Sequence, residues 1–324
     1  MAAEILLVGL GETGASIGLA LAKSGGAFQR TGYDPHHEKA RAAHKAGAVD
    51  RLTMDPRREA GRSDLVIYSL AASALGPELE DIAGDLKADS LLIDTSRLKQ
   101  SVLETVPARL KPGSAFIGAV PILGPKKVFH AGAIVPSADL FAGGMMAVVL
   151  PPGTSASAAD VCMDLAALLG ATPFFLEAAE LDAATAATES LPVIVAAAYL
   201  RSLASGPSWR DRGRLAERTF ESLSRLAVDR PAADMAEDLA TNRAHVVRWI
   251  DSLLTELETI RQVIARADAP GLGQRFEEAA TAYQNWRTAR ERGLDEVASA
   301  APEVSSGGSF ARLLGLRRPR PTGR

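Results

Sequence analysis

The chain is poor in cysteine, with a single one, Cys162, among its 324 residues. One thiol excludes an internal disulfide framework and any zinc site built from several cysteines. No other spacing of metal-ligating residues stands out, and no metal is predicted. Such sparing use of cysteine is typical of a reducing compartment, so we expect a cytoplasmic protein.

An excess of charge of one sign is also missing. Thirty-six basic and 39 acidic residues give a net charge of −3, and the charged fraction of 23% is ordinary. This balance gives no electrostatic reason to expect nucleic acid or an anionic membrane as a partner. The most apolar late stretch, residues 191–203, contains Pro192 and Arg201 and is too short to cross a bilayer. We therefore expect neither nucleic acid nor a membrane, and no secretory signal.

The first half of the chain alternates short apolar segments with helical ones. Strands are predicted near residues 5–9, 29–33, 65–69, 91–94, 115–118 and 147–150. Alternation of this kind implies a parallel sheet covered by helices on both faces. We predict an α/β Rossmann-type domain with a doubly wound parallel sheet over residues 1–153.

The second half changes to long helices rich in alanine and leucine. These predict an all-α C-terminal domain over residues 154–295. Its clearest helix repeats apolar residues at alternating spacings of four and three, at Val246, Ile250, Leu253, Leu257, Ile260 and Ile264. A helix pair within the domain and a dimer interface both explain that stripe. Residues 296–324 lack a sustained apolar face and are predicted to be a disordered tail.

A glycine-rich turn predicts the cofactor. Gly9, Gly11 and Gly14 follow an apolar strand and open a helix, and Asp34 comes twenty residues after Gly14. The glycines allow a tight turn and close approach to a pyrophosphate, which the helix N-terminus would bind. A carboxylate at Asp34 accepts hydrogen bonds from a ribose diol and repels a 2′-phosphate, so NAD is expected. The predicted cofactor-binding residues are Gly9, Leu10, Gly11, Glu12, Thr13, Gly14, Asp34, Ser69, Leu70 and Thr95.

Several later segments resemble one enzyme family in order and spacing. They lie at residues 94–99, 116–124, 138–144, 169–171, 179–182, 190–192 and 220–227. From residue 4 to about 266 the chain resembles the prephenate/arogenate dehydrogenases. The resemblance implies a Rossmann domain, a helical dimerisation domain and therefore a homodimer. It also implies NAD-dependent oxidation and decarboxylation of a small cyclohexadienol carboxylate, a step towards tyrosine.

The family's histidines are absent from their expected places. Val120 stands where the family has its catalytic histidine, and Leu181, Ser190 and Val193 occupy the other histidine positions. Losing a positioned base typically lowers the rate by about 10²–10⁴. Three alternatives follow: a dehydrogenase with a diverged substrate, a catalytically silent relative that binds dinucleotide or carboxylate, and a dehydrogenase or reductase of another hydroxyacid or imine.

Other residues are predicted to serve the substrate. Arg225 matches the arginine that the resemblance assigns to a substrate carboxylate, and a bidentate guanidinium suits that task. Arg97 stands at the family's serine, with Ser96 one place earlier. We predict Arg225, Arg97 and Ser190 as substrate-binding residues. Lys99, with a pKa lowered by burial, and Ser96 are the predicted catalytic residues.

Cations also gather just past the altered turn, the segment at residues 116–124 in which Val120 stands in place of the family's histidine. Lys126, Lys127 and His130 follow it closely. A site richer in cations and poorer in histidine would suit a di-acid or a phosphate-bearing substrate.

Overall fold

The computed structural model describes residues 2–70, 77–130, 132–206 and 208–292. The described chain divides into two compact units, which are taken separately below. The first runs to Ala178 and also includes residues 287–292, and the second is Ala179–Trp286. The predicted tail at 296–324 lies outside the described residues.

The first unit is built on an eight-stranded sheet. Its strands are β1 Ala3–Val8, β2 Phe28–Tyr33, β3 Arg51–Leu52, β4 Leu65–Tyr68, β5 Leu91–Asp94, β6 Ala115–Ile122, β7 Met145–Val149 and β8 Thr172–Phe175. They lie in the order β3-β2-β1-β4-β5-β6-β7-β8. All neighbouring strands are parallel except β6 and β7, which run antiparallel. The predicted Rossmann-type sheet is confirmed, with this one antiparallel pair added.

Helices cover both faces of the sheet. They are α1 Glu12–Ala22, α2 His37–Lys45, α3 Pro56–Ala60, α4 Pro77–Asp85, α5 Gln100–Thr105, α6 Pro125–Val128 and α7 Ala156–Leu168. Successive β1 residues face opposite ways, because side chains alternate along a strand. Leu7 packs in one core with Ile17 of α1, and Leu6 packs in the other with Leu79 of α4. The sheet is therefore doubly wound, as predicted.

The sheet domain extends further along the chain than residue 153. Helix α7 supplies Val161, Cys162 and Leu165 to the core of the first unit, and β8 pairs with β7. The sequence did not predict β3, which has two exposed residues, or β8, which contains Pro173. Both strands are too short or too irregular to show an apolar alternation. The change of unit accordingly falls after Ala178.

The register places a row of residues at the carboxyl ends of the parallel strands. Val8 of β1 lies beside Tyr33 and Tyr68, Tyr68 beside Asp94, and Asp94 beside Gly118. Ligands of open α/β sheets bind beyond this edge. The row therefore marks where the candidate site of the first unit lies.

The second unit is helical. Its helices are α8 Ala178–Thr185, α9 Leu191–Ala204, α10 Trp209–Arg214, α11 Arg218–Ser224, α12 Ala232–Thr241, α13 Arg243–Ala265 and α14 Ala269–Arg292, whose last six residues belong to the first unit. A π-helical turn at Ala186–Ser190 joins α8 to α9. It comes just before Pro192, whose missing N–H interrupts the regular hydrogen-bond ladder.

The second unit buries very little of itself within one chain. Its buried residues are Leu181, Asp182, Thr185, Ala186, Ala196, Ser224, Asn242 and Val246. Val246 opens the predicted apolar stripe of α13 and is buried, whereas Leu257 and Ile264 further along are 51% and 59% exposed. Residues 178–204 are long and apolar enough to cross a membrane, judged by length and composition alone. Among the described residues this is the one such segment, and most of it is not buried in the single chain. That is weak evidence for a membrane span.

Candidate nucleotide and substrate site

The glycine loop links β1 to α1 at the carboxyl edge of the sheet. Gly9 has φ +92°, and a side chain there would collide with the Ser69 backbone. A Cβ at Gly14 would collide with the Gly9 carbonyl oxygen, whereas the space around Gly11 is open. The first turn of α1, with Glu12 and Thr13, presents its backbone N–H groups beside that opening. This arrangement can hold a pyrophosphate.

Asp34 follows β2 and is fixed by the glycine loop. One carboxylate oxygen accepts a 2.8 Å hydrogen bond from the Leu10 N–H, and the other accepts a 2.8 Å bond from the His36 N–H. The residue is 4% exposed. A carboxylate offers about four acceptor positions, so two remain for the hydroxyls of a ribose. Asp34 thus ties the loop to the strand beside it and can still bind a ligand.

A second carboxyl group lies close to Asp34. Glu78 is in the first turn of α4, and the next residue, Leu79, belongs to the same hydrophobic core as Val8 and Tyr68. Partial burial raises the pKa of Glu78, and the charge of Asp34 raises it further. Burial, then Glu78 and Asp34, likewise raise the pKa of the Tyr33 hydroxyl. No motif marked Glu78, because its proximity to Asp34 depends on how α4 packs on the sheet.

Two predicted cofactor residues meet at the ends of β4 and β5. The hydroxyl oxygens of Ser69 and Thr95 are 2.7 Å apart, and the Thr95 hydroxyl also donates to the Tyr68 carbonyl at 3.0 Å. Leu70, the next residue, packs against the core beneath α4. Ser69 and Thr95 therefore form a hydrogen-bonded pair of hydroxyl groups at the carboxyl edge, at the ends of the two strands that follow β1 in the sheet.

Lys99 lies inside the first unit and is 0% exposed. Its ammonium donates to Asp94 Oδ2 at 2.7 Å, to Ser96 Oγ at 3.1 Å and to the Ser96 carbonyl oxygen. The Ser96 hydroxyl donates to the same Asp94 oxygen at 2.7 Å. The aliphatic stem of Lys99 crosses Gly118, where any side chain would collide with it. The network favours a structural role for Lys99 and Ser96, and their predicted catalytic role stays a prediction.

Val120 lies on β6, opposite Ala147 of β7. It is 5% exposed. Because side chains alternate along a strand, Val120 faces the same side as Gly118 and hence the Lys99 stem. An isopropyl group neither accepts nor donates a proton. Past the turn, Lys126 and His130 are exposed, and Lys127 pairs with Asp139 at 3.8 Å.

The other predicted substrate residues are divided between the two units. Arg97 is exposed on the first unit. In the second, Ser190 ends the π-helical turn, and Arg225 is an exposed residue whose Nε lies 3.2 Å from Asp229. In the helix before the π-helical turn, the Asp182 carbonyl accepts a 2.8 Å hydrogen bond from the Asn242 amide, and the Ala183 carbonyl accepts a 3.2 Å bond from the Trp249 indole N–H. These two bonds hold α8 against α13. Within the described ranges, no group of three or more His, Cys, Asp or Glu side chains is placed to hold a metal ion.

The strand order, the glycine turn and Asp34 define a Rossmann-type nucleotide-binding domain, here followed by a helical one. Two family models match consecutive parts of the chain: the prephenate dehydrogenase nucleotide-binding domain at residues 17–171, and the prephenate dehydrogenase dimerization domain at 177–278. The chain belongs to the prephenate dehydrogenase family. The glycine loop itself precedes the first matched residue.

Known proteins agree with this assignment. Prephenate dehydrogenase of Bacillus subtilis is 27% identical over 295 residues, which are 89% of this chain and 77% of that protein. Cyclohexadienyl dehydrogenase of Zymomonas mobilis is 24% identical over 85% of this chain and 93% of its own. The Aquifex aeolicus prephenate dehydrogenase, solved with hydroxyphenyl propionate and NAD⁺, superimposes with a TM-score of 0.76 at 19% identity, covering 88% of this chain and 98% of that one. Synechocystis arogenate dehydrogenase gives 0.68 at 19% identity over 87% and 99%.

Proposed function

We propose that the protein is an NAD-dependent dehydrogenase of a small carboxylate-bearing alcohol, and that it oxidises prephenate poorly. The observation that carries the nucleotide part is the glycine loop locked to Asp34 through the Leu10 N–H. The Aquifex relative was solved with NAD⁺ and an aromatic carboxylate, which supports the same ligand classes here. Because we expect slow oxidation of prephenate, we do not propose a dedicated role in tyrosine formation.

The chain's own residues bind and orient the cofactor. The α1 N-terminus would hold the pyrophosphate and Asp34 would accept hydrogen bonds from the ribose hydroxyls, while the hydroxyl groups of Ser69 and Thr95 lie at the same edge of the sheet. NAD supplies the hydride acceptor. The Asp94–Ser96–Lys99 network keeps the loop after β5 rigid, which fixes the backbone around Thr95 and Arg97.

The substrate part of the proposal depends on Val120. Oxidising a secondary alcohol requires the hydroxyl proton to leave as the hydride moves, and valine provides no acceptor for it. Arg97, Ser190 and Arg225 remain the proposed ligands for the substrate's polar groups. The same requirement holds for every alcohol, so the hydroxyl proton of a substrate oxidised here would pass to water rather than to the side chain at position 120.

The test is a panel of alcohols given to the intact protein with NAD, with NADH formation followed by absorbance. Prephenate, arogenate and simple hydroxyacids form the panel. Turnover on at least one hydroxyacid, with little on prephenate, is expected. Calorimetric titration with NAD alone provides the matched binding control. Failure to bind NAD would contradict the whole proposal, including its cofactor part.

A second candidate is a catalytically silent relative that binds NAD and a carboxylate. The observation that favours it is the replacement of histidine by apolar side chains at both Val120 and Leu181, which are buried. Binding of NAD together with silence on every member of the panel distinguishes this candidate from the first.

We also propose a cytoplasmic homodimer formed through the second unit. Its helices bury only a handful of residues in one chain, while Leu254, Leu257, Ile264 and Phe276 are more than half exposed. Large apolar side chains exposed in this number favour a partner surface. The match to a dimerization domain supports a second copy as that partner, and the same covering accounts for the apolar helix at 178–204.

A further inference from the structure

An arginine near the end of α14 contacts the residue that follows β6, the strand that carries Val120. The helix's last residues, 287–292, belong to the first unit and contact the chain after β6. Arg290 Nη2 donates a 2.7 Å hydrogen bond to the Leu123 carbonyl oxygen. The Arg287 guanidinium lies 4.9 Å from the centre of the Phe129 ring and pairs with Glu291 at 2.9 Å.

Arg290 is a half-buried cation. Burial alone lowers the pKa of its guanidinium. Among the residues that the structure describes, no carboxylate is within ion-pair distance of Arg290, in contrast to Arg287. A guanidinium has five N–H donors, and the Leu123 bond uses only one of them. Removing a charge from water without a partner is costly, so a ligand that brings an anion would be stabilised here.

The place of this cation relative to the sheet points to a ligand. The parallel strands β1, β4 and β5 end in register with Gly118, whereas β6 continues to Ile122. Leu123 therefore lies past the edge beyond which open α/β sheets bind their ligands. It is three residues from Val120, the position at which the family places its base.

We propose that Arg290 binds the carboxylate of the substrate beside the altered turn. The inference rests on the proposed function and adds a binding residue that neither the sequence motifs nor the family pattern marked. A guanidinium can keep its bond to Leu123 and still present a fork to a carboxylate. The group that replaces the missing histidine is thus a fixed positive charge, which orients an acid and takes no proton.

The experiment is calorimetric titration of the intact, NAD-saturated protein with hydroxyphenyl propionate. Arg290→Gln retains an N–H donor for Leu123 and removes the charge, so the turn keeps its contact. We expect its affinity for the acid to fall about ten- to a hundredfold, with Arg290→Lys intermediate. Arg292→Gln is the matched control, because Arg292 is an exposed arginine on the same helical turn, and its affinity should match the wild type.

The neutral amide of the same ligand separates charge recognition from a structural effect. It should bind wild type and Arg290→Gln equally. An equal loss for acid and amide, an unchanged affinity of Arg290→Gln for the acid, or no binding of the acid by the wild type would each overturn the inference. The NAD titration in the absence of acid is scored separately, so failure of the cofactor proposal is recognised independently.

Discussion

Replacing Lys99 by methionine should destabilise the first unit without acting on chemistry directly. The change keeps the stem that crosses Gly118 and removes the ammonium. Asp94, 0% exposed, would keep only its hydrogen bonds from Ser96 and lose its counter-ion. Breaking a fully buried pair by removing one partner typically costs about 3–5 kcal/mol. A loss of that size is a large share of the usual stability of a domain.

The double variant Asp94→Asn/Lys99→Met is the matched control. It removes both charges, so no uncompensated carboxylate remains, and it should be clearly more stable than Lys99→Met alone. Urea unfolding followed by far-ultraviolet circular dichroism, with hydrogen exchange over β5, measures both. The three tryptophans all lie in the second unit, so their fluorescence would report on the wrong domain. A Lys99→Met protein with wild-type stability but no hydride transfer would refute the structural account and restore the catalytic one.

Three further results are expected. Asp34→Asn should narrow the preference for NAD over NADP, measured by calorimetry with both cofactors, and adding Glu78→Gln should narrow that preference further. Equal affinities of the wild type for NAD and NADP would contradict the discrimination assigned to Asp34 and Glu78. The pKa of Glu78 is raised in the folded state, so as pH rises the carboxyl group loses its proton in the unfolded chain before it does so in the folded one. The free energy of unfolding therefore falls as pH rises from about 4.5 through the folded-state pKa. Glu78→Gln should therefore be more stable than wild type at pH 7 and not at pH 4, by thermal melting; a gain of equal size at both values would contradict this. The intact protein should be a dimer by light scattering, and Leu257→Glu/Ile264→Glu should weaken it, whereas a wild-type monomer at micromolar concentration would exclude the dimer.

The part of the site that the sequence predicts well is local. Gly9, Gly11 and Gly14 have their roles because a strand, a turn and a helix follow one another within a few residues. Asp34 follows from the same βαβ unit, and its carboxylate accepts a hydrogen bond from Leu10 of the glycine loop; its role towards a ribose stays a prediction. Features of this kind depend on neighbours along the chain, so a motif can encode them.

The rest depends on distant contacts that no local pattern records. The sequence singled out Lys99 but not its partner, since Asp94 and Lys99 meet only when the loop after β5 closes over Gly118. Glu78 comes near enough for the charge of Asp34 to raise its pKa only through the packing of α4. Arg290 contacts a residue 167 positions earlier. The extent of the sheet domain was missed because β8 is short and contains a proline.

Our proposal that Val120 leaves the site without the family's base is tested most directly by steady-state NADH production from prephenate. Wild type, Val120→His and the control Val120→Leu are compared at saturating NAD. We expect a nearly silent wild type, an equally silent leucine variant and a measurable gain for the histidine variant. Wild-type turnover on prephenate in the usual enzyme range of roughly 1–10³ per second would contradict it.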